Sequence, residues 1–467
     1  MTIQFNEKSM EIEIVKILKE RGLPVVKQEV RMNNKIVDLV GYTVTPDNEL
    51  VPQVVVEIKL QPTMSAQKQL MSYAEIFQTP YALLVTPDRT IWFETDTFLP
   101  IENPTFKTEK IFVEDLQEIE RTFHVLLDAF RGDMPPQNSW LIILQGLLTR
   151  SYLQKNESLE QWHEMDQNKF YDLLETTIYQ HYGIDQYVEK QIIGERNFKH
   201  FIWKLGEIPA THPLYGQLMI NLIERNNFHG EYLTSPTVRE LFAGIINSLN
   251  LNSLSVLDMG VGYGSIAHSL INSNLNIKKL TAIELNKSTA NYFKMLSVIS
   301  GHKNTHTISG DALEPNNSLN TLYDVVVVDP PFGKVQKMKD EYFRYSVTNK
   351  GKRKFLETSE LFLERATEMV LPGGYVVALV TESFLFSETA QITRSLLKER
   401  MIVEAIISLP PHTLKPYTGI KVNLLVLRRK TSNKEKADNL FLANCESVEQ
   451  FSEAVEGYKN WKNGGYS

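Results

Sequence analysis

Beyond about residue 229 the chain alternates short apolar runs with segments of helical spacing. The runs are SVLDMG, LTAIEL, YDVVVVD, YVVALVT, IVEAIISL and KVNLLVL. Each is too short for a core helix and too continuously apolar for a strand with one wet face, so each fits a strand buried on both faces. Strands of that kind, separated by helices, predict an α/β fold built on a parallel sheet with crossover connections. The expected domain runs from 229 to 467.

Two further regions precede it. Residues 1–115 read as a smaller α/β domain, with a helix over Glu11–Arg21, strands at Lys35–Tyr42, Gln53–Leu60, Ala82–Thr86 and Ile91–Glu94, and a helix over Ser65–Phe77. Residues 116–228 read as a helical connector, with apolar residues at helical spacing in Leu116–Phe130, Trp140–Leu153 and Lys169–His181. Three regions suit 467 residues, at roughly 150 residues per domain. Hydrophobic residues make up 42% and charged residues 22%, a globular balance that excludes a disordered chain. The single cysteine, Cys445, excludes an internal disulfide framework. The densest apolar run, Trp140 to Leu148, is too short to span a bilayer. The start of the chain lacks a basic segment followed by an apolar one, so a soluble, cytoplasmic protein is expected.

The chemistry concentrates in the third region. Asp258-Met259-Gly260-Val261-Gly262-Tyr263-Gly264 is the end of an apolar strand running into a glycine-rich turn and then a helix. Such a turn lets a ligand approach the backbone closely, and it serves nicotinamide cofactors, other nucleosides or simple tight turns alike. Glu284, at the end of the next strand, can accept both hydroxyls of a ribose. Asp311, after a third short strand, can accept from an adenine amino group. A fourth strand ends in Asp329-Pro330-Pro331-Phe332. Two prolines stiffen that loop and donate no hydrogen bonds, which leaves the Asp329 carboxylate and the Pro330 carbonyl as acceptors for an exocyclic NH2 group. Phe332 can stack on a planar base.

These residues, in this order, resemble the motifs of S-adenosylmethionine-dependent amino-methyltransferases, which implies a Rossmann-like methyltransferase domain. Gly230-Glu231-Tyr232-Leu233-Thr234-Ser235-Pro236 is similar to the Gly-x-Tyr-x-Thr-Pro segment of adenine-N6 DNA methyltransferases, with Ser235 standing between the threonine and the proline. The order of motifs and the segments LPGGYVVALVTESFLF and IVEAIISLPPHTLKPYTGIKVNLLVLRR resemble the modification subunits of type I restriction systems. Asp329 stands where those subunits usually carry Asn, as it does in related adenine methyltransferases. The resemblance implies S-adenosylmethionine as cofactor, held by Thr234, Asp258, Gly260, Gly262, Glu284 and Asp311. It implies double-stranded DNA as substrate, with Asp329, Pro330 and Phe332 acting on an adenine flipped out of the duplex.

Net charge is −7, which argues against a chain that coats nucleic acid over its whole surface. One stretch departs from it. Lys334 to Lys354 carries eight basic residues against two acidic ones, with Tyr342, Phe343 and Tyr345 interleaved. A solvated loop is the plain account. Its position directly after the Asp-Pro-Pro-Phe loop favours DNA contact through Lys334, Lys337, Arg344, Lys352 and Arg353.

The N-terminal region has its own constellation. Asp38 lies in one strand, and Glu57 and Lys59 lie two apart in another, so the latter pair share a face. Charges on strands that are otherwise core are costly without a partner or a role. Two carboxylates can bind Mg2+, with the lysine helping to activate water. With Gln69 and Tyr73 one turn apart on the next helix, the set resembles the PD-(D/E)xK nuclease fold found at the N-terminus of type I restriction subunits.

His124, His163, His181 and His200 lack metal-ligand spacing, and Trp140, Trp162 and Trp203 fit helix packing. Only about 40 residues follow the last sheet strand, so target recognition is expected from a separate specificity subunit. Two other functions stay open: a methyltransferase acting on RNA or on a protein glutamine, and a non-catalytic DNA-binding subunit.

Overall fold

The computed structural model describes all residues except 1–6, 24, 33–34, 45–49, 62, 105, 107–112, 185–189, 226–232, 274, 315–320, 334, 338–354, 416–417, 437–438 and 465–467. The chain divides into two compact units, Met1–Thr122 and Phe123–Ser467.

The first unit opens with a helix, Glu7–Glu20, followed by strands β1 (Val25–Met32), β2 (Lys35–Val44) and β3 (Leu50–Ile58). After the helix Met64–Phe77 come β4 (Tyr81–Thr86), β5 (Arg89–Glu94) and β6 (Pro100–Ile101). They form one sheet in sequence order, antiparallel throughout except for the parallel pair β3 and β4. The helix supplies that crossover, capped at its start by the Thr63 hydroxyl accepting from the Ala66 N–H. Along β3, Val54, Val56 and Ile58 pack with Met10, Ile14 and Leu18 of the first helix, while Val55 packs with Leu70, Tyr73 and Ala74. Strand β1 has no counterpart in the sequence expectation. Its VVKQEVRM lacks clean alternation because it is an edge strand, paired only with β2.

The second unit is built on an eight-stranded sheet. Its strands are β7 (Leu254–Met259), β8 (Ile277–Glu284), β9 (Thr305–Ser309) and β10 (Tyr323–Val328). A two-stranded ribbon, β11 (Val335–Lys337) and β12 (Phe355–Glu357), lies outside that sheet. The main sheet continues with β13 (Val370–Thr381), β14 (Met401–Ser408), β15 (Val422–Arg429) and β16 (Phe441–Asn444). The order across it is β16-β14-β15-β13-β10-β7-β8-β9. It is mixed rather than parallel, because β15 runs antiparallel to both β13 and β14. The reason is the connection: β14 reaches β15 through a stretch whose described residues form turns rather than a helix, and a strand entered that way reverses direction. Helices cover both faces. Pro236–Asn247, Ser265–Ile271 and Phe451–Lys462 pack on one side, Thr358–Met369 and Gln391–Arg400 on the other.

The helical stretch ahead of this sheet lies in the same unit. Its central helix, Pro136–Lys155, is buried continuously from Trp140 to Arg150, which accounts for the densest apolar run in the sequence. Arg150 donates to the carbonyls of Leu205 and Ile208, satisfying the last turn of the helix Glu195–Gly206. No helix among the described residues is long and apolar enough to cross a membrane. Trp140 and Trp162 are core residues as expected, but Trp203 is 55% exposed and stacks under Lys204 instead. Cys445 is buried.

Candidate active site

The chain runs outward from β7 through β8 to β9, then returns to place β10 on the other side of β7. That reversal opens a crevice at the carboxyl ends of β7 and β10, where open α/β sheets bind ligands. Asp258 is the penultimate residue of β7, and Asp329 immediately follows β10. In the register of the two strands Asp258 pairs with Val327, so Asp329 lies two residues further along the neighbouring strand, close enough for its charge to raise the Asp258 pKa.

The turn after β7 is shaped by glycine. Gly264 has φ +91, and a side chain there would overlap the Phe293 ring. Gly262 has φ +55 with open space where a Cβ would stand, so the backbone is bare toward the crevice. Gly260 and Val261 donate to the Ile283 carbonyl at 3.0 and 2.9 Å, which ties the turn to β8. Glu284, at the end of β8, completes the tie. Its Oε2 accepts from the Gly262 N–H at 2.9 Å and its Oε1 from the Asn286 N–H at 2.8 Å. Each oxygen keeps a second lone pair for a ligand. Asp311 stands beyond β9, whose Ser309 pairs with Glu284, and its Oδ1 accepts from Leu313 N–H at 2.9 Å.

Two acids in the crevice are held above the usual carboxylate range. Asp258 is 3% exposed, and its pKa is pushed up to about 8 by burial, then by the charges of Asp329 and Glu284. Burial also raises Asp329, to about 7, against the pull of a hydrogen bond from Thr234. That bond runs from Thr234 Oγ1 to Asp329 Oδ2 at 2.7 Å. The other oxygen, Oδ1, is closed to solvent and has no hydrogen-bond partner among the described residues. Pro330 is buried, Pro331 exposed, and Phe332 is partly buried against the core beneath the sheet.

Thus the structure brings Asp258, Gly260, Gly262, Glu284 and Asp311 to one end of the sheet, with Thr234, Asp329, Pro330 and Phe332 beside them. The sequence reading assigned Thr234 to the cofactor; its hydroxyl goes to Asp329, a pairing across 95 residues that no local pattern signals. Gly230, Glu231 and Tyr232 lie outside the described residues, as do Lys334, Arg344, Lys352 and Arg353 and the side chain of Lys337. Strands β11 and β12 bracket that basic stretch.

In the first unit, Asp38, Glu57 and Lys59 also come together. Asp38 Oδ2 accepts from the Ile58 N–H at 2.7 Å, and Lys59 Nζ lies 2.7 Å from Oε1 of the buried Glu57. Gln69 Nε2 donates to the Tyr73 hydroxyl at 2.6 Å. Among the described residues there is no cluster of three or more His, Cys, Asp or Glu that could hold a metal ion.

Residues 212–458 match the family model described as N-6 DNA Methylase. The type I restriction enzyme EcoEI methylase subunit of Escherichia coli is 29% identical over 124 residues, covering 26% of this chain and 24% of that protein. The shared stretch is therefore about a quarter of that relative's length. Among solved structures, a protein assigned as a class I S-adenosylmethionine-dependent methyltransferase from Listeria monocytogenes superposes with a TM-score of 0.56 at 14% identity, over 75% of this chain and 99% of that one. The type I restriction-modification system methyltransferase subunit from Streptococcus thermophilus gives 0.52 at 15% identity, over 73% and 93%. At such identities the likeness is one of fold, an α/β methyltransferase fold. The matched span covers more than half the chain and holds the whole crevice, from Thr234 to Asp329, and on that ground the chain belongs to the N-6 DNA methylase family.

Proposed function

We propose that this chain methylates the N6 amino group of adenine in double-stranded DNA, with S-adenosylmethionine as methyl donor, as the modification subunit of a restriction–modification or phage-defence system. The observation that carries it is the buried Oδ1 of Asp329, unpartnered among the described residues, beside the Pro330 backbone. It is a strong acceptor with no donor among them, which is what an exocyclic amino group supplies.

The cofactor fits the residues present. Gly262 leaves open space along the turn, Glu284 retains acceptor capacity, and a bound positive charge would favour the ionised form of Asp258. Asp258, Gly260, Gly262, Glu284 and Asp311 would hold it, and when bound it supplies a methyl group on a sulfonium sulfur. The protein's own work lies with the base. Adenine N6 is a weak nucleophile because its lone pair is delocalised into the ring. Asp329 Oδ1 and the Pro330 carbonyl accept its two N–H bonds and aim the lone pair outward, so orientation and preorganised charge supply most of the rate. As the N6–carbon bond forms, N6 sheds a proton, and a carboxylate with a pKa of about 7 is matched to take it near neutral pH. Phe332, partly buried against the core, is the ring proposed to stack on the extruded base, and the basic stretch through Lys334, Lys337, Arg344, Lys352 and Arg353 suits the DNA backbone. Incubation of the protein with labelled S-adenosylmethionine and duplex DNA, RNA or protein tests the substrate; label on adenine N6 is expected.

Target recognition by a separate specificity subunit is part of the proposal, as is the division into a nuclease-like region 1–115, a helical connector 116–228 and the methyltransferase domain. A Mg2+-dependent nuclease of PD-(D/E)xK type is the finer reading of the first unit, favoured by the convergence of Asp38, Glu57 and Lys59 on β2 and β3. It requires Mg2+ to displace Lys59 from Glu57. Nicking of DNA that depends on Mg2+ and is lost in Lys59→Ala while methylation persists supports it. No cleavage with any partner or methylation state leaves Glu57 and Lys59 as an internal ion pair.

A further inference from the structure

Thr234 is 5% exposed and sits between the buried Leu233 and the helix that starts at Pro236. A hydroxyl carries one proton. Here that proton is donated to Asp329 Oδ2, so Thr234 cannot at the same time donate to an anionic group of a ligand. The bond has a second consequence. It restrains the carboxylate of Asp329 and occupies Oδ2, leaving Oδ1, which has no hydrogen-bond partner among the described residues, as the oxygen free to accept.

We infer that Thr234 is a positioning residue of the methyl-transfer step: its hydroxyl orients Asp329 and favours its ionised form, instead of binding the cofactor. Burial favours the neutral acid at Asp329, and the Thr234 hydrogen bond opposes burial. The inference rests on the function proposed above for its chemistry, though the bond itself stands independently of it.

The test uses the full chain with DNA and any partner its activity needs. In Thr234→Val, S-adenosylmethionine affinity by calorimetry should stay within about twofold. A hydrogen bond to a charged group is lost, so kcat should fall roughly tenfold or more. The acid limb of the kcat–pH profile should move to higher pH, and Thr234→Ser should restore both. If Thr234→Val fails to fold, Thr234→Ala removes the same hydroxyl without a second methyl. Weakened cofactor affinity with an unmoved pH limb overturns the inference and returns Thr234 to the cofactor. Unchanged kcat overturns it as well. Carbon-13 titration of the Asp329 carboxyl separates this from failure of the proposed function: it should shift upward in Thr234→Val even where no methyl is transferred, and an unmoved titration overturns the assignment.

Discussion

Asp258 and Asp329 stand at the carboxyl ends of the neighbouring parallel strands β7 and β10, and the charge on Asp329 is the second cause, after burial, of the raised Asp258 pKa. The Asp329 charge therefore opposes ionisation of Asp258, and a cation in the crevice would favour it.

This pair predicts proton release on cofactor binding. Burial and the neighbouring acids push the Asp258 pKa up to about 8, and a bound sulfonium would lower it. Calorimetry at pH 7 in buffers of different ionisation enthalpy should show net release of protons, with affinity rising as pH increases toward 8. Proton uptake, or affinity independent of pH over that range, would contradict the account.

The same groups set a stability trend. A carboxyl whose pKa is raised by folding adds stability that is full below its unfolded value near 4 and is lost as pH rises through the folded value. The ligand-free protein should therefore lose stability progressively between about pH 4 and 8 from this source. Asp258→Asn should flatten that loss in urea unfolding and also weaken cofactor binding.

Buried histidines act at the other end of the scale. His268 is fully buried behind Gly264 and His302 lies 5.3 Å away, ring to ring, and burial lowers both pKa values, His302 to about 4. The folded state refuses protons that the unfolded chain takes up below about pH 6.5. Stability from this source is full above that pH and falls as acid is added. His268→Leu should show a smaller drop in Tm from pH 7 to 5 than the wild type, and an equal drop would contradict the assignment.

The glycine turn separates folding from binding. Gly264→Ala sets a side chain against Phe293 at φ +91 and should destabilise by at least about 1–3 kcal/mol. Gly262→Ala meets no neighbour, so it should fold with a smaller loss of roughly 1 kcal/mol while cofactor affinity drops sharply. Thermal melts and calorimetry on the two variants check the contrast.

Much of this site is legible in the sequence because its parts are local. Glycines after a strand and two prolines after Asp329 dictate backbone shape from within a few residues, and Glu284 and Asp311 fall at strand ends that hydrophobic pattern locates. The antiparallel direction of β15 was not legible, since a strand buried on both faces reads alike in either direction. Strand β1 was lost to its edge position. The Thr234 bond joins residues 95 apart, and Trp203 faces outward from a helix whose other aromatics, Phe198 and Phe201, are buried. Neither follows from composition or period; both depend on what the fold brings near.

The central claim is that Asp329 acts on the base and not on the cofactor. Its most direct test compares wild type and Asp329→Ala, each with any partner its activity needs, for cofactor binding by calorimetry and for transfer of labelled methyl to adenine N6 in duplex DNA. The account predicts that Asp329→Ala still binds S-adenosylmethionine but transfers no label. Transfer at the wild-type rate by Asp329→Ala would contradict it.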